Sequence, residues 1–506
     1  MSKLNDLQQM RETISQGGGA DKIKALHDGG KKTARERMAM LFDEGNFHEI
    51  DAFVTQRFDN ADGLKDVPAE GVVIGYGTVE GRPVYAYAQD YTVLNGSVGE
   101  MHAAKICKIM DMALKMGAPI VSILDSDGAR IKEGLDALKG YGEIFKKSAN
   151  ASGVVPQIAI ILGQCAGGAS FAPAMADFTF MVDGISHMYV NGPSVVKGGA
   201  NEDITADSLG GAEAHSSKSG VASFRAANEE ECFAQVKNLL SYLPSNNLEG
   251  APVYDATDDL NRASAALNEI GEGGAYAMKN VIAEIADGGA FLEAHAEYAQ
   301  NMITGFARLD GIGVGIVANK ENSELDSAAS EKAARFIRFC DCFGIPVVTL
   351  TDVAGYVVSK DEEYNGLVRR GAKLLYALAE ASVPKINVIV NKAYGSAYVA
   401  MNSKHIGADM VFAWPNAEIS VMGAEGAANI VFDDEIAASA NPVATRNEKI
   451  AEYKEKCASP YMAAARGYVD DVIEPALTRP RLIFALEMLL SKREEKLAKK
   501  HGNIPM

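Results

Sequence analysis

Residues 103–116 read AAKICKIMDMALKM and place Ile106, Ile109, Met110, Ala113 and Leu114 at i, i+3, i+4, i+7 and i+8. That spacing puts one apolar face on a helix. Gly117 marks its end. Pro119-Ile120-Val121-Ser122-Ile123-Leu124 then reads as a buried strand running up to Asp125. About 230 residues further on the same succession returns, the mark of an internal duplication. Ala333, Phe336, Ile337 and Cys340 repeat the helical spacing, Gly344 ends the helix, and Pro346 to Leu350 forms a strand followed by Asp352.

The parallel extends. Ala151-Ser152-Gly153-Val154-Val155-Pro156 precedes the apolar strand Ile158 to Leu162 and a turn from Gly163 to Ala169. Ala381-Ser382-Val383-Pro384 precedes Ile386 to Val390 and a turn from Asn391 to Ala397. Ala176-Asp177 with Phe178 to Val182 answers Ala408-Asp409 with Met410 to Ala413. Strands alternating with amphipathic helices predict parallel β units with helical crossovers. The expectation is an α/β chain of two homologous halves, residues 1–250 and 251–506, joined across the polar, irregular stretch Leu243 to Gly274. A C-terminal helix is predicted from Thr478, apolar first and charged over Ser491 to Lys500. Gly75-Tyr76-Gly77 with Gly81 fails the dinucleotide-loop spacing and predicts a hairpin turn.

A formal net charge of -18 argues against nucleic-acid or anionic-membrane binding. An anionic ligand would then need a local basic pocket or helix N-termini. The six cysteines are scattered, with no disulfide framework, which predicts a reducing compartment. Cys340 and Cys342 have the wrong spacing for a zinc knuckle, and no metal site is expected. The polar start, Met1 to Met10, predicts no signal peptide. No apolar run long enough to span a membrane occurs.

The turn Gly163 to Ala169 carries the sharpest chemistry. Consecutive glycines let backbone N–H groups approach a ligand, and at a helix start those groups lack partners. Such a turn suits a developing oxyanion. Tight helix–strand packing would also call for small residues, but the repeat at Tyr394-Gly395-Ser396-Ala397 favours function. Cys165 sits where a nucleophile elbow would carry its nucleophile. The repeat has Ala393 there, and no histidine stands out as a base, so Cys165 is expected to be a small buried residue.

The first half carries Thr33-Ala34-Arg35-Glu36-Arg37, Gly71 to Gly77, Gln89-Asp90-Tyr91-Thr92-Val93, Gly140 to Phe145, Cys165 to Ala169 and Lys218 to Ala222. These stretches resemble biotin-dependent acyl-CoA carboxyltransferases of the propionyl-CoA carboxylase beta and methylmalonyl-CoA decarboxylase alpha type. The second half adds Ala333 to Arg338, Gly371 to Tyr376 and Ala413-Trp414-Pro415, and the tail Lys499 to Pro505 is similar to the decarboxylase subunit. The resemblance implies two tandem crotonase-like domains, the N-terminal one for acyl-CoA and the C-terminal one for carboxybiotin. It implies a cytoplasmic homo-oligomer, a hexamer, with each active site made by the N-half of one subunit and the C-half of another. The implied cofactor is biotin on a separate carrier protein, and the implied substrate is a coenzyme A thioester. The implied partners are that carrier with biotin carboxylase or membrane decarboxylase subunits, through which the chain could lie at a membrane. Lys279, in Ala277-Met278-Lys279-Asn280, lacks the flanks of a carrier hairpin and is expected to be an ordinary surface lysine.

Carried onto this chain, the amides of Gly167 and Gly168 would hold the thioester enolate, and those of Ser396 and Ala397 the ureido oxygen of biotin. Ala166, Ala169, Gly128, Ala129, Arg130, Tyr394, Gly395 and Val399 would line the substrates, with Val399 tuning acyl size toward short groups. The chain departs from the family at Asp127 (Gly), Ala354 (Pro), Tyr356 (Phe), Glu362 (Gln), Arg370 (His) and Ser396 (Gly). A left-handed backbone at Ser396 would be strained. The competing expectation is a catalytically weakened paralogue acting as scaffold or regulatory subunit.

Overall fold

The computed structural model describes residues 2–57, 67–256, 258–494 and 497–505. The chain divides into two compact units, Met1–Glu249 and Gly250–Met506.

In the first unit the sheet order is His48–Ile50, Val72–Val79, Arg82–Gln89, Ile120–Ser126, Gln157–Ala166, Phe178–Val182 and Phe224–Ala226. Strand His187–Tyr189 pairs off that path with the far end of Gln157–Ala166. The second unit repeats the order with Phe291–Ala294, Met302–Leu309, Ile312–Asn319, Val347–Tyr356, Lys385–Tyr394, Met410–Ala413 and Asp471–Val472. Glu418–Ser420 takes the off-path place. Each unit is therefore a meander of antiparallel strands running into a parallel layer. Register repeats as well: Val121 faces Ile158 and Ile158 faces Phe178, while Val348 faces Ile386 and Ile386 faces Met410.

The predicted helix is Glu100–Met116, and its apolar face is buried in the first core with Ile120 and Ile161. Gly117 caps it in the left-handed conformation at φ 62, where glycine carries no Cβ penalty. Ser327–Cys342 is its counterpart, burying Ala333, Phe336, Ile337 and Cys340. Burial of each large aliphatic side chain is worth about 1.5–3 kcal/mol.

Buried polar groups are duplicated too. Lys105 donates to the carbonyls of Ala69 and Val72 at 2.6 and 2.5 Å. Lys332, its counterpart, donates to His295 and Met302 at 2.8 and 2.6 Å. The amide of Gln157 donates to Asp177 and that of Lys385 to Asp409, both at 2.8 Å.

Four expectations need correction. Gly75 to Gly77 lie inside strand Val72–Val79, and the hairpin turns at Glu80-Gly81, both at positive φ. The stretch Leu243 to Gly274 is not merely irregular: it contains helix Ala265–Gly271, and Val253 bridges to Ile312. The C-terminal helix is Thr478–Leu489. Of its expected charged part, 491–494 and 497–500 are not helical, and Glu495 and Lys496 lie outside the described residues. The strands leading to both glycine turns run on through Ala166 and Tyr394, so the turns are shorter than the sequence suggests. Among the described residues no helix is long and apolar enough to cross a membrane.

Candidate active site

Strand Gln157–Ala166 delivers the chain to Gly167, which opens a 3-10 turn, Gly167–Ser170, at φ 64. The Ser170 hydroxyl donates to the Gly167 carbonyl at 2.7 Å and closes the turn. A short helix, Phe171–Met175, follows. Ala166, Gly167 and Gly168 are half-buried, and Ala169 is buried. Amide N–H groups of a first turn have no acceptor within that turn, so Gly167 and Gly168 present donors at an accessible strand end.

In the second unit Lys385–Tyr394 delivers Gly395, at φ 62, to helix Gly395–Ala400. Gly167 and Gly395 thus share a left-handed conformation that side chains disfavour. Ser396 occupies the place of Gly168 and has no positive φ. The strain anticipated there is absent, because the turn places its left-handed residue one position earlier. Ser396 is exposed, while Tyr394 and Ala397 are buried.

Both strand ends are anchored by a fully buried aspartate, a feature that sequence reading recorded only as a strand boundary. Asp125 accepts from the Gln164 amide at 3.2 Å, and Asp352 from the Lys392 amide at 3.1 Å. Their own amides donate to Gln89 and Asn319, both at 3.3 Å. Asp125 is paired with Arg37 at 3.1 Å and Lys31 at 2.8 Å, and Arg37 also holds Glu229 at 2.8 Å and the Leu162 carbonyl at 2.6 Å. Asp352 instead accepts from the Tyr276 hydroxyl and the Asn322 amide, at 2.5 and 2.8 Å. Gly163 is required here: a Cβ would lie 1.9 Å from the Asp125 carboxylate.

Around the first turn, Asp127 accepts from Tyr91 and Asn95, and Tyr189 donates to the Gln164 side chain at 2.6 Å. Gly128 and Ala129 lie on the adjoining loop, with Ala129 bridged to Val98. Arg130 does not present its guanidinium to the turn. It is buried, paired with Glu70 and with Glu133 at 2.7 Å, and donates to the Ser97 carbonyl at 2.9 Å. It braces the loop.

Around the second turn, Ser396 and Val399 line a cleft of about 680 Å³ with Tyr398, Ile419, Val421 and Arg466. Val399 also packs against the core formed by Ile389, Tyr398 and Ala463, so its packing and lining roles coexist. Tyr394 donates to Glu418. Glu362 and Arg370 are not in that cleft. Glu362 accepts from the Ser327 amide at 2.9 Å, and Arg370 donates to the Ser327 hydroxyl at 3.4 Å, so both tie down a helix start.

A thiol mechanism finds no support. Cys165 is buried, and burial pushes its thiol well above the ordinary range. Among the described residues no cluster could hold a metal ion. Lys279 is largely exposed and paired with Glu293 at 2.6 Å. The geometry is that of two backbone donor turns, suited to holding oxyanions without a side-chain nucleophile.

A carboxyl transferase domain matches residues 25–504. The methylmalonyl-CoA decarboxylase subunit alpha of Veillonella parvula is 52% identical, with 100% of this chain and 99% of the relative covered. The methylmalonyl-CoA carboxyltransferase 12S subunit of Propionibacterium freudenreichii subsp. shermanii is 49% identical over 99% and 97%. The crystal structure of transcarboxylase 12S, described as a hexamer assembly with hydrolyzed methylmalonyl-coenzyme A bound, superposes with a TM-score of 0.96 at 48% identity, covering 100% and 98%. Each unit of this chain has the crotonase-like fold, and the chain belongs to the carboxyl transferase family of biotin-dependent acyl-CoA carboxyltransferases.

Proposed function

We propose that this chain moves a carboxyl group between biotin on a carrier protein and the alpha carbon of a short acyl-CoA of the propionyl/methylmalonyl type. The observation that carries this reading is the duplicated donor turn: one chain presents two equivalent sets of backbone amides, and the reaction has two anions to hold. Gly167 and Gly168, in residues 1–250, hold the thioester oxygen as an enolate develops. Ser396 and Ala397, in residues 251–506, hold the ureido oxygen. Ala166, Ala169, Gly128 and Ala129 shape the first site, and Tyr394, Gly395 and Val399 the second. Arg130 acts through the loop it braces.

The second cleft fits the bicyclic ring of biotin. Its wall of Val399, Ile419 and Val421 is apolar, and the exposed Ser396 also lines it. Biotin supplies a nitrogen that carries and releases carbon dioxide. The chain's own residues fix orientation and offer donors where charge develops, and fixed geometry lowers the barrier without covalent participation. The similarity to relatives named for methylmalonyl-CoA supports a short acyl group over one with a second carboxylate.

We further propose that the chain works as a cytoplasmic hexamer, attached to a membrane only through partner subunits, with a biotin carboxyl carrier and either biotin carboxylase or decarboxylase subunits. The scaffold reading is weaker, since both donor turns are intact. Competition between methylmalonyl-CoA and glutaconyl-CoA tests the substrate class: methylmalonyl-CoA should win, and a glutaconyl preference would overturn the assignment. Transfer to a free biotin analogue by the purified chain separates enzyme from scaffold.

A further inference from the structure

We propose that Asp127 is a specificity-determining residue of the first turn, setting the preference between acyl-CoAs with and without a free carboxylate on the alpha carbon. The inference rests on the assignment of acyl-CoA to that turn.

Asp127 lies between two residues that touch the strand leading to the turn. Ser126 is paired with Cys165, and a Cβ on Gly128 would come within 2.9 Å of the Ala166 carbonyl. The next residue after Ala166 is Gly167, whose amide opens the turn. Asp127 is exposed but not free to wander. Tyr91 donates to one carboxylate oxygen at 3.2 Å, Asn95 donates to the other at 2.9 Å, and the Asp127 amide donates to the Asn95 carbonyl at 3.1 Å. Among the described residues no cation pairs with it. Lys31 is engaged with Asp125 and sits 4.5 Å from the centre of the Tyr91 ring. The charge is felt locally: Tyr189, which pairs with Ala166, has its hydroxyl pKa raised by burial and by Asp127.

A carboxylate on the alpha carbon of a CoA thioester sits two bonds from the thioester carbon. With the thioester oxygen on the Gly167 and Gly168 amides, the inference places that carboxylate on the side of the turn where Ser126 and Gly128 flank Asp127 against Cys165 and Ala166, so that the like charges repel. An acyl group without the carboxylate feels no such repulsion. Because Asp127 faces water, the repulsion is partly screened and weakens further with salt.

Asp127→Asn removes the charge while leaving groups that Tyr91 and Asn95 can bond. Calorimetry gives the dissociation constants of methylmalonyl-CoA and propionyl-CoA for both proteins at low and high ionic strength. The ratio of the methylmalonyl to the propionyl constant should fall about three- to tenfold in the variant at low salt, and the change should shrink at high salt. Asp127→Gly should shift the ratio the same way. A ratio that does not move, or moves equally at all salt concentrations, overturns the inference. If Gly168→Val abolishes binding while that ratio stays fixed, only the role of Asp127 falls. If Gly168→Val binds both ligands as the parent does, the site assignment falls and this inference with it.

Discussion

A Cβ at position 168 would lie 3.5 Å from the Tyr141 ring, an ordinary contact, and φ there is not positive. A Cβ at 168 therefore costs the fold little, and the branched side chain of a valine would crowd this half-buried turn. Gly168→Val should give a folded protein whose carboxyl transfer is reduced about a hundredfold or more, the scale seen when an oxyanion donor is lost. A thermal melt and a transfer assay check the two halves of that statement. Gly395 is the opposite case. Its φ of 62 makes Gly395→Ala cost about 1–2 kcal/mol of stability, read as a lowered melting temperature. Ser396→Gly should bring no gain in rate from relief of strain, since Ser396 is not in a left-handed conformation. A large increase would show that the serine obstructs the cleft by its side chain.

At the scale of elements, the Arg37 cluster clamps helix Ala34–Leu41, strand Ile120–Ser126 and helix Glu229–Tyr242 together. Arg37 is 1% exposed, and its loss would leave Asp125 and Glu229 buried with much of their compensation gone. Arg37→Ala should cost about 3–5 kcal/mol, measurable by denaturant unfolding. A second prediction concerns two histidines. His102, on helix Glu100–Met116, is held well below the ordinary pKa by burial and by Arg130; burial and Lys332 take His295 down to about 3. Both stay neutral in the folded state, whereas the unfolded chain takes up protons below about pH 6.5. Their contribution is thus present above pH 6.5 and lost as pH falls from there toward 3. The melting temperature should drop between pH 7 and 5, and His295→Gln should flatten that drop. Identical slopes would contradict the assignment.

The helices, strands and glycine turns of both halves were legible because apolar period and glycine punctuation are local. Helix Glu100–Met116 and the strand up to Asp125 show this directly. Strand ends were not: Gly163 to Ala166 look like a turn by composition, but pairing with His187–Tyr189 keeps them extended. The Arg37 cluster joins positions 125, 162 and 229, and no pattern along the chain marks so distant a meeting. Thr33 and Glu36, by contrast, meet three residues apart in a capping box, a local device. The strain expected of a left-handed Ser396 does not arise, because the left-handed position of the turn falls on Gly395.

At the scale of the whole molecule, one folding unit has been used twice, and each copy ends a ten-residue parallel strand in a donor turn. On the proposed function the two turns hold two anions, of which the acyl-CoA enolate is one. The central claim is that the second belongs to biotin supplied by another protein. The most direct measurement follows labelled carboxyl transfer from methylmalonyl-CoA by the purified chain, with and without a biotinylated carrier. Label should appear on the carrier only when it is present, and Gly168→Val should slow the transfer about a hundredfold or more. Carboxylation or decarboxylation of acyl-CoA at full rate with no biotin in the mixture would contradict the account.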